Sequence, residues 1–406
     1  VIVKGDEKTI MNAICFSLTV HAPARLRTDY SFFEIGKDHR YFDEPASRAW
    51  LEGVIARCWQ PAVQVLYDLV RRHEGRFRFG LSLSGPSLRL MERHAPETLE
   101  AFRRLLRTGC VELIGETSHH SLAALHSPKE FTAQLALYRK QAKSLFDAAP
   151  AVFRNTELIY SDAIGRLAEE AGYKTVLAEG FAGAGSARSP QQIWQVAAGQ
   201  ARLLLRHAWL SEDLANRFSD RSWQEYPLSA EKYGAWLKTA STEGPAVNVF
   251  ADIRALGEWN NKDSGIFDFL WHFPDSVLGR GLSFTTPSET AIETSSGPAQ
   301  VPVGTSWAGP ERDLTPWMGN PLQDSALQYL YDLEKPVFRT KDEDLIETWR
   351  SLQDADYFDW MCTRRLTGGT PYRQPSPFSS PYDAYVAFIN MLNDFREVLK
   401  SGGVRV

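Results

Sequence analysis

Strand-like apolar runs alternate with helical periods over residues 13–252, and this alternation predicts an α/β fold with a parallel sheet. Nearly every run ends in a polar or acidic residue. That favours a closed barrel over an open sheet, because barrel enzymes keep their chemistry in the loops after the strands. No G-x-G-x-x-G follows the first run, which disfavours a dinucleotide-binding sheet. The expected organisation is an N-terminal extension (1–10), a seven-stranded barrel (11–300) and a helical C-terminal region (301–406).

Residues 13–20 form the first strand, ending at His21-Ala22-Pro23. Residues 45–73 carry a helical period through Leu51, Val54, Ile55, Val63, Leu66 and Leu69. The second strand, 77–83, closes at Ser84-Gly85-Pro86. Helices around 87–91 and 96–107 lead to the third strand, 110–114, which ends in Gly115-Glu116-Thr117-Ser118-His119-His120. Ser127-Pro128 opens a long helix to about Ala148, with proline just inside the start. The fourth strand, 151–155, breaks at Thr156-Glu157, and Ser161-Asp162 caps the next helix. The fifth strand, 175–178, runs into a Gly/Ala/Ser-rich loop over 181–190. The sixth, 203–206, leads to His207 and then Leu210-Ser211-Glu212-Asp213. A helix over 229–239 precedes the seventh, 247–251, which ends at Asp252. Beyond it come a helix at 267–277, an additional strand at 282–286 and a Thr/Ser/Gly/Pro-rich connection at 294–305. Helices near 321–333, 342–355 and 381–400 complete the chain.

Composition narrows the function. The net charge of −5 and the lack of a Lys/Arg-rich tract argue against nucleic acid as a partner. No apolar run is long enough to span a membrane, and the first ten residues are too polar for a signal peptide. Four cysteines isolated in sequence suggest neither a zinc site nor a disulfide framework and are expected to be reduced and buried. Together these favour a cytoplasmic location. The 12 Trp, 14 Tyr and 22 Phe serve mainly the core, yet that Trp count also suits a cleft in which rings stack on sugars.

Glu157 follows the fourth strand and Asp252 the seventh, so both belong at the C-terminal mouth of one barrel. Paired carboxylates there are what glycoside cleavage needs: one attacks the anomeric carbon and the other protonates the leaving oxygen. Position alone leaves open that each is a solvated loop acid. His21, Glu116, His119, His120, His207 and Asp213 also follow strands and could orient sugar hydroxyls; a structural role for each stays open. No H-x-x-x-H or H-E-x-x-H is present, and the side chains of adjacent His119 and His120 diverge, so no metal and no cofactor is expected. Ser161 lacks a surrounding G-x-S-x-G and reads as a helix cap. Trp349-Arg350 and Arg364-Arg365 read as a solvated helical face.

Several stretches together resemble glycoside hydrolase family 57, in its α-amylase-like branch. They are His21-Ala22-Pro23, the run from Gly109 to Thr117, Asn155-Thr156-Glu157, Phe250-Ala251-Asp252 through Glu258-Trp259, and Ser306-Trp307-Ala308 through Leu314. Trp360-Met361-Cys362-Thr363 and the run from Ser379 to Tyr385 also fit. Each is weak alone; their order and spacing are specific. The resemblance implies an incomplete (β/α)7, TIM-barrel-like fold with a C-terminal α-helical region. It implies retaining, metal-free chemistry on α-linked glucans, with Glu157 as nucleophile and Asp252 as general acid/base. His21, Glu116 and Trp307 match cleft positions, and His120, His207, Asp213 and Trp259 are taken with them as substrate-binding residues.

The departures are His-Ala-Pro for the usual His-Gln-Pro, Gly309 for a usual acid, and Arg254 where an acid stands two residues after the acid/base. A guanidinium beside Asp252 favours the ionised carboxylate, the opposite of what a general acid needs. Arg254 is therefore expected to point away or to be neutralised by another acid such as Glu258. The implied function is retaining cleavage of α-1,4-glucosidic bonds in glycogen-like glucans or malto-oligosaccharides, with transglycosylation by a 4-α-glucanotransferase or branching-type reaction as an alternative. A non-catalytic glucan-binding protein on the same scaffold is a further alternative. A metal-dependent deacetylase would need Asp-Asp after the first strand, where Thr19-Val20-His21 stands. Oligomeric state is left open.

Overall fold

The computed structural model of the protein describes residues 12–180, 188–367 and 375–404. The N-terminal extension and most of the loop expected at 181–190 lie outside the described residues. The described residues contain ten strands: β1 (Ala13–Val20), β2 (Phe79–Leu83), β3 (Val111–Ile114), β4 (Val152–Arg154), β5 (Thr175–Glu179), β6 (Ile193–Val196), β7 (Arg202–Arg206), β8 (Ala246–Asp252), β9 (Ser283–Thr285) and β10 (Pro298–Ala299). They form two five-stranded sheets, β3-β2-β1-β8 with β9 also on β1, and β10-β6-β7-β5-β4.

The two sheets curl into one incomplete barrel. At one seam β3 meets β4: the Gly115 N–H donates to the Val152 carbonyl at 2.8 Å and the Arg154 N–H to the Gly115 carbonyl at 2.9 Å. At the other, the His207 N–H after β7 donates to the Asn248 carbonyl of β8 at 2.7 Å. The parallel pairs β1·β2, β1·β8, β2·β3, β4·β5 and β5·β7 complete the curl. The strands expected from sequence are all in it, and the additional strand is β9, paired with the first half of β1. β6 and β10 were not expected. Both are short, β6 runs antiparallel to β7, and β10 is two residues long, so neither carries a pattern that stands out from a loop.

β1 and β8 are buried along their whole length, as parallel strands covered on both faces must be. One apolar core packs β1, β2 and β8 against helices such as Gln60–Arg72 and Ile266–Leu278. A second packs β4, β5 and β7 against the C-terminal helices, including Pro321–Asp332 and Pro381–Ser401. The expected helix at 45–73 is interrupted by a π-helical turn over Ile55–Trp59. Pro61 just after it lacks the N–H that would bond the Arg57 carbonyl, so the ladder widens there. All four cysteines are buried, and none is in a disulfide. The solvated face expected around Trp349 is corrected: Trp349 is buried, its indole N–H bonds the Leu330 carbonyl, and Arg350 pairs with buried Glu130. The tail packs over the barrel there, which its own sequence does not announce. Among the described residues no helix is long and apolar enough to cross a membrane.

Candidate active site

The mouth of the barrel is built around Arg154, the last residue of β4. Its guanidinium bridges three neighbouring elements, donating to Thr19 Oγ1 of β1 (2.8 Å), Ser82 Oγ of β2 (3.1 Å) and the Glu116 carboxylate after β3 (3.3 Å). Ser82 in turn donates to Glu116 at 2.7 Å. A fully buried arginine is tolerable only when so paired. Burial alone would raise the Glu116 pKa, but Arg154 and His120 bring it below the ordinary carboxylate range.

His120 links this plug to Glu157. Its Nδ1 lies 3.4 Å from Glu116 and its Nε2 2.9 Å from Glu157 Oε1. Burial opposes its charge, yet the two carboxylates raise its pKa to about 10, so it is an imidazolium at neutral pH. The other oxygen of Glu157 accepts the Trp307 indole N–H at 2.7 Å. Burial pushes Glu157 up, but His120, Arg154 and Trp307 outweigh it and hold the carboxyl at about 2. Glu157 is therefore a buried, ionised carboxylate with both oxygens hydrogen-bonded. Its backbone is strained: Glu157 and Leu158 stand at φ 54° and 52°, and His120 at φ 50°, in the left-handed region that side chains avoid. Three such residues at one site mark a loop held in place by its surroundings.

The His120 ring stacks on His21 at 3.7 Å between centroids. His21 Nδ1 bonds Ser84 Oγ at 2.8 Å, while its Nε2 faces Asp356 at 3.4 Å and Asp354 at 3.7 Å from the C-terminal region. His21 Nε2, Asp354 Oδ2 and both Asp356 oxygens are buried without a hydrogen-bond partner. Such orphaned donors and acceptors are suited to sugar hydroxyls. Burial raises the Asp354 pKa, which His21 partly offsets. One ligand atom each from His21, His120 and Asp356 lies within 4.8 Å of the others, a group able to hold a metal ion. Both His120 nitrogens already face carboxylates, so an ion there would displace the contact with Glu157 or Glu116.

Asp252 closes β8 in a different setting. Its Oδ1 accepts the Arg254 backbone N–H (2.8 Å) and Nε (3.2 Å), and its Oδ2 accepts Nε (3.2 Å) and Nη2 (2.8 Å). The expectation that Arg254 points away, or is neutralised by Glu258, is corrected. Asp252 caps a 3₁₀ turn, Ile253–Ala255, and this turn swings the Arg254 side chain back over the carboxylate. Arg254 is fully buried, and a buried guanidinium takes the nearest anion. Glu258 Oε2 is buried without a partner.

The remaining expected residues divide. Trp307 lies beside Glu157, with Phe250 at 5.5 Å and the Arg206 guanidinium 5.5 Å from its ring. Trp259 lies under the Arg254 guanidinium at 5.0 Å. His207 caps the short helix Ala208–Glu212, its Nδ1 accepting from the Leu210 N–H. Asp213 pairs with Arg217 at 2.7 Å. The side-chain hydrogen bonds of these last two are local in sequence. His119 diverges from His120, as expected, towards Glu347 at 3.0 Å. Arg154, Asp354, Asp356 and the Glu179–Arg206–Glu212 ion chain, with Arg206 near Trp307, were missed. A charged residue inside an apolar strand is the signal that Arg154 offered. Asp354 and Asp356 offered none, because only the docking of the tail brings them to His21.

The sequence profile described as Glycosyl hydrolase family 57 matches residues 15–301. A protein of Methanocaldococcus jannaschii that carries a provisional alpha-amylase name is 30% identical over 400 residues, covering 95% of this chain and 85% of its own length. Among solved structures, a GH57 branching enzyme from Thermococcus kodakaraensis superposes with a TM-score of 0.68 at 13% identity, over 88% of this chain and 87% of its own. The alpha-amylase AmyC from Thermotoga maritima superposes with a TM-score of 0.62 at 12% identity, over 96% and 94%. At those identities the two structures speak for the fold alone. The profile match over more than half of the chain, with the full-length relative, places the protein: it belongs to glycosyl hydrolase family 57.

Proposed function

We propose that this chain is a retaining enzyme acting on α-glucans or malto-oligosaccharides, with Glu157 as nucleophile and Asp252 as acid/base. The observation that carries the reading is Glu157 itself, buried yet held ionised at about 2 by His120 and Trp307. A nucleophile must be ionised at working pH, and one fixed by two donors is already oriented. In the first step Glu157 bonds to the anomeric carbon, the glycosidic C–O bond breaks, and the Asp252 proton passes to the departing oxygen. In the second step an acceptor hydroxyl attacks the same carbon, its proton goes to Asp252, and Glu157 leaves as carboxylate. His21, Asp354, Asp356 and Trp307 would hold the sugar at the cleavage point. No step calls on a metal.

The acceptor separates transfer from hydrolysis. Transfer to a second sugar is put first, supported by the likeness to the branching enzyme. Hydrolysis is the second reading, favoured by the relative with an amylase name. Chromatography of products from maltose through maltoheptaose decides between them: products longer than the substrate mean transfer, and a glucose or maltose ladder means hydrolysis. Glu157→Gln and Asp252→Asn are expected to abolish both, Glu157→Gln by about 10⁴-fold or more. Activity retained by both variants would end the assignment. Binding of maltoheptaose with no new product over hours would make the chain a glucan-binding protein instead.

A further inference from the structure

The site holds its two carboxylates in opposite ways, and the Asp252 arrangement raises a problem of proton supply. A carboxylate has about four lone-pair directions. Arg254 alone makes four donor contacts to Asp252, two on each oxygen, at 2.8–3.2 Å. Both residues are shielded from water, Arg254 fully and Asp252 to 1% exposure. A proton placed on either oxygen meets a donor rather than an acceptor. So clamped, both Asp252 oxygens are already taken by donors.

A second acceptor stands ready for the guanidinium. Glu258 lies one turn on, its N–H donating to the Arg254 carbonyl at 3.1 Å, and its Oε2 is buried without a partner. Trp259, whose ring lies 5.0 Å from the Arg254 guanidinium carbon, offers a face along which that group can move. Charges facing this segment from other elements are Arg25 and Arg57, both of which act electrostatically on Glu258.

We propose that Arg254 is a positioning residue that switches Asp252 between an inert, clamped carboxylate and a working acid/base, with Glu258 as the alternative partner of the guanidinium. The inference rests on the reading of Asp252 as acid/base. When the guanidinium moves to Glu258, Asp252 can keep the proton received from the previous acceptor hydroxyl. It then delivers that proton to the departing glycosidic oxygen as the C–O electron pair settles there. In the clamped form only substrates whose leaving group needs no proton react well.

The test compares kcat/KM on maltoheptaose with kcat/KM on α-maltosyl fluoride, whose fluoride departs without protonation. Their ratio isolates acid assistance from folding and binding losses. General acid catalysis contributes about 10²–10⁴-fold, so Arg254→Met is expected to raise the ratio at least about tenfold. Glu258→Gln is expected to lower it, and the double variant to match Arg254→Met, because the second partner no longer matters once the guanidinium is gone. Arg254→Lys, which keeps the charge but loses the fork, is expected to raise the ratio less; it decides the matter if Arg254→Met does not fold. A ratio that is unchanged or lower in the Arg254 variants, while Asp252→Asn still lowers maltoheptaose turnover, overturns the switch and leaves the catalytic reading standing. If Asp252→Asn leaves maltoheptaose turnover intact, the reading of Asp252 itself fails.

Discussion

The mouths of β4 and β8 each present one buried acid, and they differ in where its partners come from. Glu157 is held by residues distant in sequence: His120 from the loop after β3 and Trp307 from the segment before the C-terminal helices. Asp252 is held by its neighbour two residues on, through a single turn. The first arrangement exists only when the whole fold is assembled, so it reports on tertiary order. The second is made within one segment, between residues two apart in the chain. On the proposed reading, Glu157 is the group that stays charged at rest and Asp252 the one that exchanges a proton each cycle.

The largest expected effect breaks the long-range side. His120→Gln removes the imidazolium from Glu157 and should lower kcat/KM by about 10²–10³-fold, the scale of losing a positioned charge-stabilising donor. An effect under tenfold would show that Glu157 does not depend on it. Next, Arg254→Met should destabilise the fold by about 3–5 kcal/mol, because it leaves Asp252 buried and unpaired, and adding Asp252→Asn should recover part of that loss in urea unfolding. No recovery would mean that the pair is not the origin. Trp307→Phe removes one neutral donor from Glu157, worth about 1 kcal/mol, and should lower kcat/KM by roughly five- to tenfold with little change in Tm.

The pH dependence of stability separates the same two regions more finely. The Glu157 pKa is depressed, so its contribution is present above the unfolded value of about 4.3 and is lost as pH falls towards about 2. The His120 pKa is raised, so its contribution is full below the unfolded value of about 6.5 and is lost as pH rises through about 10. Both shifts largely describe one shared bond and count once. A Tm profile should be flat between these limits and fall at each end, and His120→Gln should flatten the alkaline fall. The smallest effect is expected at His207. His207→Ala removes a helix cap worth about 1 kcal/mol and should change turnover by less than about threefold, because its side-chain hydrogen bond is local. A large loss of turnover would return His207 to the cleft.

The barrel was legible because its strands are apolar runs bounded by turn residues, a pattern that burial on both faces imposes. β6 and β10 were not, since two to four residues at a sheet margin carry too little pattern. Glu157 was legible as an acid after a buried strand, and Ser161 as the cap beyond it, where it accepts the Ile164 N–H. Arg254 was expected to point away because a general acid is ill served by a neighbouring guanidinium; instead the chain leaves the strand at Asp252 and a 3₁₀ turn brings the Arg254 side chain back over the carboxylate. His207 and Asp213 were read as cleft residues from their position after a strand; the contacts that the structure gives their side chains are a helix cap and an ion pair with Arg217.

The sequence by itself determined the order of strands and helices, the loop that carries Glu157, and the strand end that carries Asp252. These are local properties, set by hydrophobic period, caps and breaks within a few residues. Tertiary structure alone decided the charge state of Glu157, the burial of Arg154 among three strand ends, and the meeting of His21 with Asp354 and Asp356. Those depend on groups far apart in the chain brought into a dry space, where an unpaired charge is costly and each ion takes the partner the fold supplies.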